Sequence, residues 1–165
     1  MARIWKFGTD VDTDQIVPGR YAPYMLKKGQ DVQDYAFIEA RPEFAKEAQP
    51  GDVIVAGENF GCGSSREYAP EALRRRKIGA IIAPSFARIF FRNAINLGIP
   101  LFESEEIVTA VSDGQLVTLD LKNAQLITEK QTFSLPPLPD FAADIIKAGG
   151  ITAYVRENGR FPGEK

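Results

Sequence analysis

An alternation of apolar runs and helical segments between residues 52 and 102 constrains the fold of this chain more than any other feature. Three short apolar runs are typical of strands that a parallel sheet buries on both faces, and they lie at 52–56, 80–83 and 99–102. Helical patterning fills the gaps, over 65–77 and over a segment that ends at Gly98. This alternating order, in which two helices connect three strands, predicts a parallel α/β unit.

The segments on either side extend this unit. Residues 3–7 predict a short strand, and the Asp-, Gly- and Pro-rich stretch after it predicts a long loop with extended pieces. Residues 34–48 have mixed helical spacing that Pro42 interrupts. Beyond the unit, we expect short antiparallel strands and then one or two closing helices. The chain has 165 residues and shows neither a repeat nor a linker, so we expect a single domain over residues 1–165.

The residue types present exclude most familiar catalytic sites. Cys62 is the only cysteine and histidine is absent, which excludes an intrachain disulfide, a Cys and His zinc site and a Ser-His-Asp triad. A net charge of −2 gives no reason to expect binding to nucleic acid, which needs a strongly basic face. We find no apolar leader and no apolar run near the roughly 20 residues that cross a bilayer. We therefore expect no membrane contact and a cytoplasmic location.

A loop with the sequence Gly-Cys-Gly-Ser-Ser-Arg-Glu follows the first strand of the unit, at residues 61–67. In α/β proteins, ligands bind at the carboxyl ends of strands, where glycines expose backbone N–H groups and a helix N-terminus favours negative charge. With the guanidinium of Arg66, the loop predicts a cradle for a carboxylate or a phosphate. The spacing of Ser64 and Glu67 equally fits a capping box that only ties off a helix. The residues alone leave both interpretations open.

Three blocks, in the same order along the chain, resemble the aconitase superfamily. The block GENFGCGSSREYAPEAL resembles the superfamily's catalytic serine loop, whose pattern is Gly-x-Gly-Ser-Ser-Arg-Glu. The block IIAPSFARIFFRNAINLGIPL resembles a second signature of the superfamily, and DVDTDQIVPGRY resembles the aspartate loop of its small isopropylmalate isomerase and homoaconitase subunits. The resemblance covers nearly the whole chain.

The resemblance implies a fold and an activity. The fold would be α/β, a three-layer β/β/α swivelling domain like the last domain of aconitases. The activity would be that of a hydro-lyase, which moves a hydroxyl between neighbouring carbons of a hydroxy di- or tricarboxylate. We expect 3-isopropylmalate, an intermediate of leucine biosynthesis, and homoaconitase and 2,3-dimethylmalate dehydratase are the alternatives. An alternative of a different class is a free-standing module that binds carboxylate or phosphate.

The resemblance also implies a partner. A large subunit would carry the four-iron four-sulfur (4Fe-4S) cluster, in a heterodimer or a heterotetramer with this chain. We expect this chain to bind no cofactor itself, because the cluster needs three protein thiolates and Cys62 is the only one available. We interpret Cys62 as a packing residue instead.

Roles for individual residues come from the same resemblance. Ser64 would be the catalytic base, acting as an alkoxide, while Ser65 and Arg66 would bind a substrate carboxylate. A serine is too weak an acid to be an alkoxide unaided, so we expect a helix N-terminus and nearby cations to stabilise it. Asp14 would support acid-base catalysis, and we interpret Asp12 as structural, in an Asx-type turn.

The loop around Tyr21 and Pro23 corresponds to the segment that contacts the substrate side chain in relatives. Some homoaconitase-like members carry an arginine where this chain has Pro23, and its absence favours an apolar pocket for a branched alkyl group. Tyr-Ala-Pro loops also occur in bacterial homoaconitase-like proteins, so the loop leaves the substrate open. Arg88 and Arg92 lie four residues apart on a predicted helix, where we expect structural ion pairs.

Overall fold

The computed structural model describes residues 1–164. Its seven strands are β1 Ala2–Lys6, β2 Val53–Val55, β3 Ala80–Ala83, β4 Leu101–Glu103, β5 Leu116–Asp120, β6 Gln125–Ile127 and β7 Thr132–Ser134. They form one sheet in the order β4-β3-β2-β1-β5-β6-β7. The α-helices within residues 1–164 are α1 Thr13–Ile16, α2 Pro42–Glu47, α3 Tyr68–Arg75, α4 Arg88–Asn96, α5 Glu105–Ala110, α6 Asp140–Ala148 and α7 Ile151–Asn158. No helix in this described part is long and apolar enough to cross a membrane.

The strands β2, β3 and β4 form the predicted parallel unit, and β1 joins it as a further parallel strand. In the parallel ladder, Ile54 of β2 lies between Trp5 of β1 and Ile81 of β3, and β4 pairs with β3 in the same direction. The helices α3 and α4 connect these strands, so the strand, helix, strand, helix, strand prediction is confirmed. The strands β5, β6 and β7 then continue the sheet as antiparallel neighbours, also as expected.

The two faces of the parallel strands bury different sets of side chains. Trp5, Ile54 and Ile81 face a core that the helices, including α3, α4 and α6, complete. On the opposite face, side chains such as Ile4 and Val53 pack against α5 and against the strands β5 to β7, which curl over them. Because side chains alternate along a strand, continuously apolar strands must be covered on both sides. The predicted three-layer β/β/α arrangement is confirmed.

The segment after β1 differs from the long loop with extended pieces that we predicted. It contains α1 and three short 3₁₀ helices at Gly19–Tyr21, Pro23–Met25 and Val32–Tyr35. Asp12 begins α1 through a capping box, since its carboxylate accepts from the Gln15 N–H and the Gln15 side chain accepts from the Asp12 N–H. The structural interpretation of Asp12 is therefore confirmed. Single helical turns of this kind have too few residues to produce a detectable period.

Asp52 fixes the amino end of β2 against β1. It is 4% exposed, and its carboxylate accepts hydrogen bonds from three N–H groups. These donors are the Trp5 indole Nε1 at 2.9 Å, the Arg3 amide at 3.0 Å and the Gln49 amide at 2.9 Å. A buried carboxylate with this many donors is fully satisfied by the protein.

Candidate active site

Three loops converge at the carboxyl ends of the parallel strands. The loop after β1 leads to α1, the loop after β2 is the glycine-serine loop at 61–67, and a short connection after β3 leads to α4. Isolated bridges join Asp12 to Cys62 and Phe60 to Phe86, so neighbouring loops pair where their strands have ended. This edge of the sheet is the predicted ligand-binding position.

Hydrogen bonds join the aspartate loop to the serine loop. The Gly61 amide donates to the Val11 carbonyl at 2.7 Å, and the Thr13 amide donates to the Cys62 carbonyl at 3.0 Å. The hydroxyl of Thr13, which is 3% exposed, donates to the carbonyl of Ser64 at 2.9 Å. These contacts hold the backbone of Ser64 at a fixed position relative to α1.

The guanidinium of Arg66 lies at the centre of the site. Its Nε donates to the hydroxyl of Ser64 at 2.9 Å, and its Nη1 donates to the hydroxyl of Tyr68 at 2.9 Å. Nη1 also lies 2.5 Å from Oδ1 of Asp14. The structure thus brings together Asp14, Ser64 and Arg66, although Asp14 is distant from the other two in sequence, and Arg66 contacts each of the others. Their catalytic roles stay predictions.

The capping-box alternative for the serine loop is wrong. The helix α3 begins at Tyr68, later than the predicted residue 65, and its N-cap is Glu67, which makes no capping hydrogen bond through its side chain. Ser64 lies outside the helix because the glycines at 61 and 63 adopt positive φ angles and Arg66 folds back toward Ser64. The serine hydroxyl is therefore exposed and free of a capping function.

Gly61 is required both by conformation and by space. Its φ is +84°, and a Cβ at this position would lie 2.2 Å from Cγ of Phe90. Phe90 is a buried residue of α4, so the serine loop lies directly on that helix. Any side chain at residue 61 would lift the loop away from α4 and displace Ser64.

Two cavities open on either side of the serine loop. One has a volume of about 180 Å³, and its lining includes Thr13, Arg88 and Asn93. The other is lined by Gly19, Tyr24 and Tyr68, among others. Both cavities are also lined by Ser64, Ser65 and Arg66. A small carboxylate in either cavity would meet these three side chains.

The two residues predicted to contact the substrate side chain lie outside both cavities. Tyr21 stacks on Tyr35 with ring centroids 4.4 Å apart, and Pro23 is exposed at the start of a 3₁₀ helix. Tyr24, from the same loop, lines the second cavity instead and is largely exposed. Substrate contacts of Tyr21 and Pro23 stay predictions.

The arginines of α4 do not form the ion pairs that we predicted. Arg88 and Arg92 are exposed, and no carboxylate among residues 1–164 lies within 4.0 Å of either guanidinium. Both arginines lie on the exposed face of α4, four residues apart. They leave unpaired positive charge beside the first cavity, which Arg88 helps to line.

The residues present do not fit a metal cluster. Within residues 1–164 no group of three or more His, Cys, Asp or Glu side chains is arranged to hold a metal ion. Cys62 is the only thiol, and burial together with the charges of Asp10 and Asp12 raises its pKa. This environment disfavours the thiolate that a metal would require.

Three residues of the site were not identified from the sequence. Thr13 fixes the serine loop, Tyr68 binds the guanidinium of Arg66, and Gly19 lies against that guanidinium, since a Cβ there would be 3.1 Å from Nη1. Tyr68 lies only two residues from Arg66, but nothing in the sequence shows that the arginine folds back.

Fold and site together define an α/β domain with a glycine-serine loop at the carboxyl ends of its parallel strands. The sequence pattern of the Aconitase C-terminal domain family matches residues 11–105, and the chain belongs to this family. The homoaconitase small subunit of Thermus thermophilus is 54% identical over 99% of this chain and 100% of its own length.

A second sequence relative and a solved structure are also similar to this chain. A 3-isopropylmalate dehydratase small subunit of Deinococcus radiodurans is 52% identical over 100% of this chain and 92% of its own length. The crystal structure of 3-isopropylmalate dehydratase from Methanocaldococcus jannaschii superposes with a TM-score of 0.86 and 40% identity. That superposition covers 96% of this chain and 93% of the other.

Proposed function

We propose that the chain is the small subunit of a heteromeric hydro-lyase of the 3-isopropylmalate dehydratase type, which supplies the serine loop of the active site. The observation that carries the proposal is the contact between the Arg66 guanidinium and both Ser64 and Asp14 beside two open cavities. The names of the relatives that match over the full length support the same class of enzyme.

Ser64 is the base in this proposal. The reaction removes a weakly acidic proton from a carbon next to a carboxylate, so negative charge accumulates in the transition state. Nε of Arg66 donates to the Ser64 hydroxyl oxygen, and a cation in this position stabilises the alkoxide once its proton has left. In this proposal Arg66 supplies the cationic stabilisation, whereas the N-terminus of α3 lies further along the chain, at Tyr68.

Arg66 and Ser65 bind a substrate carboxylate in this proposal. Nε and Nη1 of Arg66 are already engaged, but Nη2 donates to no group among residues 1–164. Its two N–H bonds remain for a carboxylate, and the Ser65 hydroxyl lines the same cavities. Asp14 lies against Nη1 with a side chain that is 61% exposed, so it remains accessible for proton transfer with solvent or substrate.

The partner in this proposal is a large subunit that carries the 4Fe-4S cluster. The chain has one cysteine and no histidine, so it lacks the ligands for the cluster. Two large, exposed apolar side chains line these cavities, namely Tyr24 and Ile89. We propose that this face meets the large subunit. A cytoplasmic location and a single domain over residues 1–165 stay predictions.

The substrate that we propose first is 3-isopropylmalate. The loop beside the second cavity offers the apolar side chains of Tyr24 and Met25, and its cation, Arg20, is paired with Glu39. An alkyl group fits these surroundings better than a third carboxylate. Homoaconitase is the second candidate, because the Thermus thermophilus relative with that name is 54% identical over its full length.

The experiment is co-expression of this chain with the large subunit under anaerobic conditions. The purified complex would be assayed by alkene absorbance with isopropylmalate, homoisocitrate and 2,3-dimethylmalate. We expect turnover by the complex, none by either subunit alone, and preference for isopropylmalate. Preference for homoisocitrate would select the second candidate.

Two results would contradict the proposal. A cluster-loaded complex that turned over none of the three acids would exclude this class of substrates. Tight binding of malate or phosphate by this chain alone, with no effect of a large subunit, would support a free-standing anion-binding module. Isothermal titration with each anion distinguishes these cases.

A further inference from the structure

The guanidinium of Arg66 has three polar partners, and two of them belong to the proposed catalytic set. Ser64 accepts from Nε, and Asp14 lies against Nη1. The third partner is the hydroxyl of Tyr68, which also accepts from Nη1, at 2.9 Å. Among residues 1–164 these are the polar contacts of the guanidinium, and the Arg66 side chain is 26% exposed.

Tyr68 is a rigid support for this contact. It is the first residue of α3, so its backbone is fixed by the helix, and its half-buried ring packs against the main core. An aromatic ring has only two side-chain torsions, and packing restricts both of them here. The position of the Tyr68 hydroxyl is therefore set by the fold and not by the loop.

Gly19 limits where the guanidinium can move. A Cβ on Gly19 would lie 3.1 Å from Nη1 of Arg66, although the φ angle of Gly19 is one that any residue can adopt. Residue 19 is therefore a glycine because a side chain would crowd the Arg66 guanidinium, and not because of its backbone conformation. Nη1 therefore lies close to the Gly19 backbone while it donates to the Tyr68 hydroxyl, which limits its movement toward Gly19.

We propose that Tyr68 is a positioning residue, which orients the Arg66 guanidinium so that Nε points at Ser64 and Nη2 remains available for a substrate carboxylate. The inference rests on the proposed function of Ser64 and Arg66. Without the Tyr68 hydroxyl, Asp14 is the remaining partner of Nη1. The exposed ion pair would then turn the guanidinium toward Asp14 and draw Nε away from the Ser64 oxygen.

The first test is Tyr68→Phe in the complex with the large subunit. We expect kcat to fall about tenfold, the size expected for loss of one hydrogen bond to a charged group, with an unchanged melting temperature. In an Arg66→Lys background, Tyr68→Phe should have no further effect, because lysine has no planar group to orient. Tyr154→Phe removes a hydroxyl from another half-buried tyrosine, on α7, and should leave kcat unchanged.

The second test needs no turnover. The ¹⁵N-labelled full chain would be studied by NMR for exchange of the Arg66 Nε–H with water. In Tyr68→Phe we expect exchange to be about fivefold faster, because the bond to Ser64 is weakened, whereas Tyr154→Phe should not change it. Gly19→Ala should shift the same resonance, since its methyl group displaces Nη1.

The outcomes separate this inference from the proposed function. Unchanged Nε–H exchange in Tyr68→Phe would refute a positioning role. Equal effects of Tyr68→Phe on kcat in the wild-type and Arg66→Lys backgrounds would refute it as well. A wild-type complex without activity on any acid, but with faster exchange in Tyr68→Phe, would refute the proposed function and support the orientation of Arg66 by Tyr68.

Discussion

Two carboxylates at opposite edges of the same parallel strands show how the molecule uses polar groups. Asp52, at the amino end of β2, is 4% exposed and accepts from three protein N–H groups. Asp14, beyond the carboxyl end of β1, has a side chain that is 61% exposed and a single ion-pair partner among residues 1–164, Arg66. The fold satisfies the first carboxylate completely and leaves the second accessible.

The difference between Asp52 and Asp14 indicates that one edge of the sheet serves stability and the other serves function. A buried carboxylate without its donors costs a large free energy, whereas an exposed ion pair contributes little to folding. The amino edge therefore stabilises the fold, and the carboxyl edge keeps charged groups near open cavities at small cost. Substitutions at the two edges should therefore affect different measured quantities: stability at the amino edge and activity at the carboxyl edge.

The largest effect should come from Ser64→Ala. We expect kcat of the complex to fall at least about a thousandfold, since the proposed base is lost. Assembly with the large subunit and the melting temperature should not change, because the exposed Ser64 hydroxyl contacts only Arg66 among residues 1–164. Alkene absorbance and size-exclusion chromatography measure the activity and the assembly, and a thermal melt measures the stability.

The exposed Ser112 provides a control for this substitution. Ser112→Ala should retain the kcat of the unmodified complex. Activity within a few-fold of wild type in Ser64→Ala would show that Ser64 is not the base.

A smaller effect, on stability, should come from Asp52→Ala. It leaves the Trp5 indole and two backbone amides without an acceptor, so we expect the free energy of unfolding to fall by about 3 kcal/mol. Asp14→Ala, at the opposite edge, should change it by less than about 0.5 kcal/mol. Urea unfolding of both variants tests the comparison directly, and equal losses would contradict it.

The smallest effect concerns Glu71, a half-buried carboxylate on α3. Hydrogen bonds from Arg74, and then Arg75, hold its pKa below the usual range for glutamate. A lowered pKa in the folded state means that the stabilisation is present above the pKa of the unfolded chain and is lost as the pH falls through the folded value. Glu71→Gln should therefore cost about 0.5 kcal/mol near pH 6 and less near pH 3.

Urea unfolding at both pH values measures this difference. Glu129→Gln, which changes an exposed carboxylate without an ion pair among residues 1–164, is the control. If the loss in free energy of unfolding caused by Glu71→Gln grew toward pH 3, the pH dependence would have the opposite sign. The ion pairs with Arg74 and Arg75 would then be excluded as the cause of the loss.

Local patterns were sufficient to predict much of the fold. The continuously apolar runs predicted the parallel strands, because a strand that is covered on both faces has no polar side to show. The intervening helices followed from their period. The short helices α1 and α5 were missed, since four or six residues contain too little of a helical period to be recognised.

The sequence by itself determined which residue types were available: a serine pair, an arginine and an aspartate in ordered blocks, one thiol and no imidazole. The tertiary structure alone decided which of them meet. The contact of Arg66 with Asp14 joins residues far apart in sequence, and its contact with Tyr68 depends on a side chain that folds back over its own loop. Both contacts are set by how strands and loops pack in three dimensions, which the order of residues does not show.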